Sequence, residues 1–390
     1  MALEELTLAD TPARLSAALD SLRELPVVGV DVERSDWDRY YRAAALIQIG
    51  GEGKAILVDP LALDDLSAVQ EFLDGRATVL HACDNDLEPL AAVDVRPPHV
   101  EDTAVAAAVL GLPMGLEALL GELLGIELAG DKSAMQRADW EARPLSEKMQ
   151  AYAAGDVADL PALWAEMDAR LHAAGRASWY RQEMAAALAL PPAPARRAWT
   201  RTKGAGRLNR LARARFRSLW ETRERLGRDT DTAPGRIAGD KTLLDLATTP
   251  PAAVAELGRR GVRRQAVREF GDELLAAVSA TQSDGAHSED SPMRSGRRPT
   301  ETDRDHAEHL RALRTERAEQ LGVAAGVLCP NRTLLAGLLA DPETPEQLRA
   351  SLGLRDWQWE QLGDAFCEAL DLTGPGRPAP VTPQGGPDDG

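Results

Sequence analysis

The rhythm of hydrophobic and polar positions changes twice along the chain. Residues 26–33 (PVVGVDVE) form an apolar run that ends in two acids. Residues 43–49 (AAALIQI) and 55–58 (AILV) repeat the short, densely apolar pattern of buried strands. Gly50, Gly51 and Gly53 punctuate the chain between the second and third runs, so those two are neighbours joined by a turn. A fourth strand is predicted over 78–83 (TVLHAC), with a helix over 63–73 before it. Beyond the fourth strand the spacing lengthens to that of helices, over 87–92, 103–110, 115–124 and one long helix over 146–173. Three adjacent strands followed by strand–helix units predict an α/β domain over residues 1–190, a mixed sheet flanked by helices.

Residues 191–206 (PPAPARRAWTRTKGAG) are rich in Pro, Ala, Gly and Arg and read as a linker. Residues 207–278 carry apolar residues at helical spacing (Leu208, Leu211, Phe216, Leu219, Trp220). Residues 279–303 are polar and read as a second, flexible linker. Residues 304–372 are helical again, and the Gly/Pro-rich stretch 373–390 reads as a disordered tail. The two helical blocks look alike. Each opens on an Arg-rich helix (RARFRSLWETRERLG; RALRTERAEQLG) and continues into a Leu-rich one after a polar cap (GDKTLLDLA; PNRTLLAGLLA). Each closes on an amphipathic helix (AVREFGDELLAAV; WEQLGDAFCEAL), the mark of an internally repeated, small all-α domain.

Charge then changes the picture. A net charge of −17 over 390 residues argues against a nucleic-acid binder. That average conceals three blocks: residues 1–190 carry −18, residues 191–278 carry +9, and residues 279–390 carry −8. With 40 Arg against 5 Lys, an arginine count alone means little, being the mark of a GC-rich coding sequence. In the middle block, however, Arg210, Arg213, Arg217, Lys241, Arg263 and Arg264 are interleaved with Phe216 and Trp220, the footprint of a surface that holds a phosphate backbone. The second helical block is acidic and is expected to be structural.

Other classes fall away. Cys83, Cys329 and Cys367 lie far apart with no CxxC pair, as in a reducing cytoplasm. The six histidines show no zinc spacing. The N-terminus lacks a basic segment before an apolar run, and no stretch reaches the roughly 20 apolar residues that span a bilayer, so neither secretion nor a membrane is expected. No GxxxxGK[ST] loop is present to cradle phosphates, which argues against a helicase.

The candidate chemistry lies in carboxylates. Asp31 and Glu33, at i and i+2 on the first strand, share a face. Asp86 follows the fourth strand and opens a helix, where an Asp also has a simple capping explanation. Tyr152 and Asp156, at i and i+4, share a helix face. Singly each is unremarkable. Together they are four oxygen donors of the kind that suits Mg²⁺ or Mn²⁺. Two such ions a few Å apart would stabilise both the attacking and the leaving oxygen of a displacement at phosphorus.

In order and spacing these motifs resemble the ribonuclease D family, DEDD exonucleases with a Tyr in the third motif. The first motif is Val30-Asp31-Val32-Glu33, followed by Leu46-Ile47-Gln48-Ile49 and Ile56-Leu57-Val58-Asp59-Pro60. The second is His81-Ala82-Cys83-Asp84-Asn85-Asp86-Leu87 and the third Tyr152-Ala153-Ala154-Gly155-Asp156-Val157. Asp131-Lys132-Ser133, Asp139-Trp140 and Arg143-Pro144-Leu145 also match. The two helical blocks resemble HRDC domains. The resemblance implies a ribonuclease H-like fold in which Asp31, Glu33, Asp86 and Asp156 bind two divalent metals, Mg²⁺ or Mn²⁺, and Tyr152 orients water. It implies 3′–5′ hydrolysis of RNA, releasing nucleoside 5′-monophosphates, with tRNA precursors as expected partners. The residues do not fix the oligomeric state, and a monomer is the expectation. Gln48, His81, Lys132 and Arg143 are the candidate substrate contacts. Two alternatives remain: an exonuclease on single-stranded DNA, and a non-catalytic nucleic-acid-binding adaptor.

Overall fold

The computed structural model describes residues 3–34, 38–41, 43–127, 132–135, 138–190, 197–280 and 299–372. Six strands form one mixed sheet: β1 (Glu5–Ala9), β2 (Val27–Arg34), β3 (Ala44–Gly51), β4 (Lys54–Val58), β5 (Ala77–Leu80) and β6 (Val100–Asp102). Their order is β1-β4-β3-β2-β5-β6. β2, β3 and β4 are antiparallel neighbours, the last two joined by the two-residue turn Glu52-Gly53, whereas β1 on β4, β5 on β2 and β6 on β5 are parallel. Helices α1 (Pro12–Ser21), α2 (Ser67–Asp74), α3 (Leu87–Ala92), α4 (Thr103–Leu110), α5 (Leu116–Leu124), α6 (Lys132–Met135), α7 (Glu147–Gly155), α8 (Leu160–Ala173) and α9 (Ala177–Leu188) complete this domain.

Strand alternation assigns the two faces of the sheet. Val28, Val30, Val32, Ile47, Ile49 and Val58 are buried against Leu15 and Leu19 of α1 and Val69 and Leu73 of α2. On the opposite face, Leu46 and Leu57 pack with Trp140, Leu145 and Ala153. The acids of β2 lie on this second face, because they alternate with the valines.

Strands and one helix differ from the expectation. β1 and β6 join the four predicted strands: β1 alternates (ELTLA) but over only five residues, and β6 is three residues long, so both fall short of a run that periodicity singles out. The single helix expected over 146–173 is two, α7 and α8, interrupted over 156–159. Pro161 explains the break: it lacks an N–H and excludes the carbonyl four residues back, so it is accommodated only in the first turn of a new helix.

The helical blocks follow. α10 (Arg210–Asp229), α11 (Pro234–Ile237), α12 (Asp240–Thr248), α13 (Val254–Arg259) and α14 (Arg264–Ala280) enclose Phe216, Leu219, Leu243, Leu246, Leu257 and Leu274. Part of the segment expected as a linker belongs to this core: Ala205 is buried in it and Trp199 packs against it, both on short 3₁₀ turns. The rest of it, residues 191–196, lies outside the described residues. α15 (Glu301–Leu321), α16 (Ala325–Leu328), α17 (Asn331–Leu338), α18 (Pro345–Leu352) and α19 (Asp356–Ala369) repeat the arrangement in a second compact unit around Trp357 and Phe366.

The repeat is clearest in one buried arginine. Arg223 of α10 donates to the Ala238 carbonyl at 3.0 Å and to Asp240 Oδ1 at 2.7 Å, 15 and 17 residues onward. Arg314 of α15 donates to the Cys329 carbonyl and to Asn331 Oδ1, both at 2.8 Å, at the same two offsets. In each block the first helix therefore ties down the entry to the Leu-rich helix through one guanidinium.

The first helical block is latched to the α/β domain. Asp231 Oδ1 accepts the Tyr40 and Tyr41 amides at 3.1 and 3.0 Å, and the Ala233 amide donates to the Asp38 carbonyl at 2.8 Å. The Tyr40 ring is buried beneath the Arg197 guanidinium, 4.9 Å from its centroid. No helix among the described residues is long and apolar enough to cross a membrane.

Candidate active site

β2 carries Asp31 and Glu33 outward on one face, and a pair of glycines sets what can approach that face. Gly29 and Gly50 are cross-strand partners on the same face as Asp31. A β-carbon on Gly29 would stand 2.6 Å from the Val157 carbonyl oxygen and 2.8 Å from Leu160 Cβ. One on Gly50 would stand 2.8 Å from Val157 Cγ2. The interruption between α7 and α8 thus rests directly on the sheet backbone, and Asp156 at the end of α7 reaches the acids of β2. Carboxylate oxygens of Asp31, Glu33 and Asp156 all lie within 4.8 Å of one another.

Such crowding shifts proton affinities. Burial pushes the Asp31 carboxyl up to about 6. Burial, with Asp31 and Asp156 alongside, pushes Glu33 up to about 9. Asp86, buried at 4 % exposure, is held well above the usual carboxylate range by burial first and by Asp31 next. Its side chain makes no capping hydrogen bond to α3, so helix capping does not account for it. Arg34, which carries no role in the sequence reading, supplies the positive charge that partly relieves Asp31, Glu33 and Asp86. Its signal was its place directly after the motif acids.

Tyr152 sits one turn before Asp156 and hydrogen-bonds to its carboxylate; burial and the surrounding acids hold the phenol far above its ordinary value. Its ring lies 6.3 Å from that of Trp140, whose indole N–H donates to the Met135 carbonyl at 3.1 Å. Gln48 faces Asp31 across the β2–β3 ladder. It is fully buried, and both atoms of its amide lack a hydrogen-bond partner among the described residues.

The remaining expected contacts fare differently. His81 Nδ1 is 2.9 Å from Thr103 Oγ1, whose hydroxyl donates to the Leu80 carbonyl, so this nitrogen serves the fold. Arg143 donates to both oxygens of Asp59 at 2.6 and 2.8 Å and to the carbonyls of Ala45, Trp140 and Ala142. Its guanidinium therefore staples the 139–145 loop to the sheet. Despite the burial of Asp59, this staple keeps that carboxyl below its usual range. Lys132 opens α6, and its side chain lies outside the described residues. In the basic block Arg210, Lys241, Arg263 and Arg264 are exposed around the N-terminal ends of α10, α12 and α14. Arg213 is half-buried on the Leu208 carbonyl and Arg217 pairs with Glu221.

The donor set fits hard divalent cations: clustered carboxylates, sharing a partly buried site, whose raised proton affinities mark a place short of positive charge. A six-stranded mixed sheet bearing this cluster, followed by two helical repeats, defines a 3′–5′ exonuclease with HRDC domains. Residues 6–172 match the 3′-5′ exonuclease family and residues 212–278 and 303–370 the HRDC domain. Ribonuclease D of Pseudomonas paraeruginosa is 32% identical over 375 residues, 92% of this chain and 96% of that protein. Ribonuclease D of Sphingobium indicum is 30% identical over 385 residues, 94% and 92% of the two chains. The crystal structure of Escherichia coli RNase D, an exoribonuclease involved in structured RNA processing, superposes with a TM-score of 0.75 at 26% identity, covering 94% of this chain and 98% of that one. The chain belongs to the ribonuclease D family and is a 3′–5′ exoribonuclease.

Proposed function

We propose that the chain trims RNA from its 3′ end one nucleotide at a time, releasing nucleoside 5′-monophosphates, with tRNA precursors and other stable RNAs as substrates. The observation that carries this reading is the meeting of Asp31, Glu33 and Asp156 within 4.8 Å, with Tyr152 hydrogen-bonded to Asp156. In it, Asp31, Glu33, Asp86 and Asp156 hold two divalent ions, Mg²⁺ or Mn²⁺. When bound, such ions supply charge stabilisation for the attacking and leaving oxygens of the displacement. The carboxylates give up their protons as they take up cations, which their raised proton affinities make necessary at neutral pH. Tyr152 stays a neutral phenol, because burial and its acidic neighbours oppose its ionisation. It is therefore suited to orienting a water molecule through its hydroxyl oxygen, while its own O–H stays intact and donates to the Asp156 carboxylate, and not to acting as a base. The exposed Arg210, Lys241, Arg263 and Arg264 hold the RNA backbone away from the reacting end.

Purified protein with Mg²⁺ or Mn²⁺ should shorten an RNA labelled at its 5′ end in single-nucleotide steps, and Asp31→Ala should abolish this. Activity that persists in EDTA, or internal cuts, would sink the reading. Matched RNA and DNA oligomers in competition measure whether the 2′-hydroxyl is required, since single-stranded DNA presents the same phosphodiester.

A further inference from the structure

Asp102 ends β6 and is 1 % exposed, yet it has no place in the carboxylate cluster. Its carboxylate is held by four backbone amides, with the Cys83 thiol as a further side-chain partner. Oδ1 accepts the amides of Ala104 at 2.7 Å, Ala82 at 3.0 Å and Val105 at 3.2 Å, and Oδ2 accepts that of Cys83 at 2.7 Å. Two of these donors begin α4, an ordinary capping task. The other two belong to a different segment, the turn that leaves β5 and leads to Asp86.

That turn needs holding. Ala82 stands at φ 64°, ψ 56°, left-handed backbone that an L residue other than Gly rarely adopts. From it the chain makes a single 3₁₀ turn, Cys83–Asn85, and the Asp86 amide donates to the Cys83 carbonyl at 3.1 Å. The direction in which Asp86 leaves the turn is thus set by Ala82 and Cys83, the two residues whose amides Asp102 holds. The end of β6 is itself anchored: the Tyr180 hydroxyl of α9 accepts the Asp102 amide at 2.9 Å and donates to Glu101 Oε2 at 2.6 Å.

We propose that Asp102 is a positioning residue for Asp86: by holding the left-handed Ala82 turn it aims the one motif carboxylate that does not belong to the Asp31–Glu33–Asp156 cluster toward the cations. The proposal rests on the reading of Asp86 as a metal ligand. Three full-length variants test it, with Mn²⁺ binding measured by calorimetry and folding by thermal melts. Asp102→Asn removes one acceptor oxygen and presents an amide donor to the backbone amides. Asp102→Ser keeps an N-cap for α4 but is too short to hold both segments. Both should weaken Mn²⁺ binding by about 10- to 100-fold, the range expected when an outer partner of a ligand is lost. Adding Ala82→Gly should recover part of that loss, because glycine adopts the left-handed turn without strain. A pure capping role would leave Mn²⁺ affinity unchanged in Asp102→Ser and gain nothing from Ala82→Gly, and either result overturns the proposal. Should Asp102→Asn fail to fold, Asp102→Ser decides alone. Wild-type protein that takes up no Mn²⁺ would overturn the metal reading of Asp86 itself, and the proposal with it.

Discussion

Asp31 and Glu33 show how a site can be built at a cost to the fold that carries it. Their carboxyls are raised to about 6 and about 9, whereas an unfolded chain would leave them near 4. Between those values the native state binds more protons than the unfolded one, so stability falls as pH rises. Metal-free protein should therefore melt at lower temperature at pH 8.5 than at pH 5.5. Cations replace the protons, so the rise in melting temperature on adding Mn²⁺ should grow over the same interval; a constant rise would contradict the linkage. Gln48 carries a second local cost, a fully buried amide with no partner among the described residues. A buried polar group left unsatisfied costs about 1–3 kcal/mol. Gln48→Leu, similar in size, should stabilise the metal-free protein by a comparable amount. RNA turnover should meanwhile fall about tenfold, the lower end of what loss of one partner at a metal site costs. A variant that gains stability and keeps full turnover would show that the amide does nothing for catalysis. Strand period two alone made the shared face of Asp31 and Glu33 legible in the sequence. The orphaned amide was not, because it depends on which groups fail to reach it.

At the scale of elements, one interruption brings the site together. A continuous helix over 146–173 is what hydrophobic periodicity predicts, and it hides the 156–159 break that seats Asp156 on the sheet. Pro161 was visible as a helix breaker. The matching cradle of Gly29 and Gly50 was not, since nothing local in the sequence says which backbone will touch a glycine. The contact is tight enough to test. Gly29→Ala places a methyl against the Val157 carbonyl and Leu160, neither of which is the free end of a flexible side chain. The break must move outward, carrying Asp156 with it, and overpacking of this kind costs about 1–3 kcal/mol. Turnover should fall by much more than the drop in stability suggests, because a displacement near 1 Å at a reacting centre can cost about 100-fold. Equal turnover in Gly29→Ala and wild type would mean that the cradle does not set the position of Asp156. The repeat was legible as two similar sequences. The buried Arg223 and Arg314 that give it a common mechanical logic were obscured by an arginine-rich composition in which most guanidiniums are exposed.

For the whole molecule, the overall charge of −17 describes none of its parts. The catalytic domain is strongly acidic, and even four carboxylates neutralised by two divalent ions would leave it repelling a polyanion. The first helical block carries the opposite sign, and its latch fixes where that charge stands: Asp231 on the Tyr40 and Tyr41 amides joins it to the chain that emerges from the strand of Asp31 and Glu33. The proposed function thus divides attraction and chemistry between two domains held together by hydrogen bonds. The division has a measurable signature in salt. Each phosphate contact on a single strand contributes about 0.7 to the slope of log affinity against log salt concentration. Replacing Lys241, Arg263 and Arg264 together by Ala removes three exposed cations without touching the latch or the buried Arg223. On RNA long enough to reach the helical block, the slope should fall by about 2. On a substrate of two or three nucleotides, kcat and KM should stay near wild type. A triple variant with an unchanged slope would place the RNA elsewhere, and one that loses turnover on the shortest substrate would show that the two tasks are not separable.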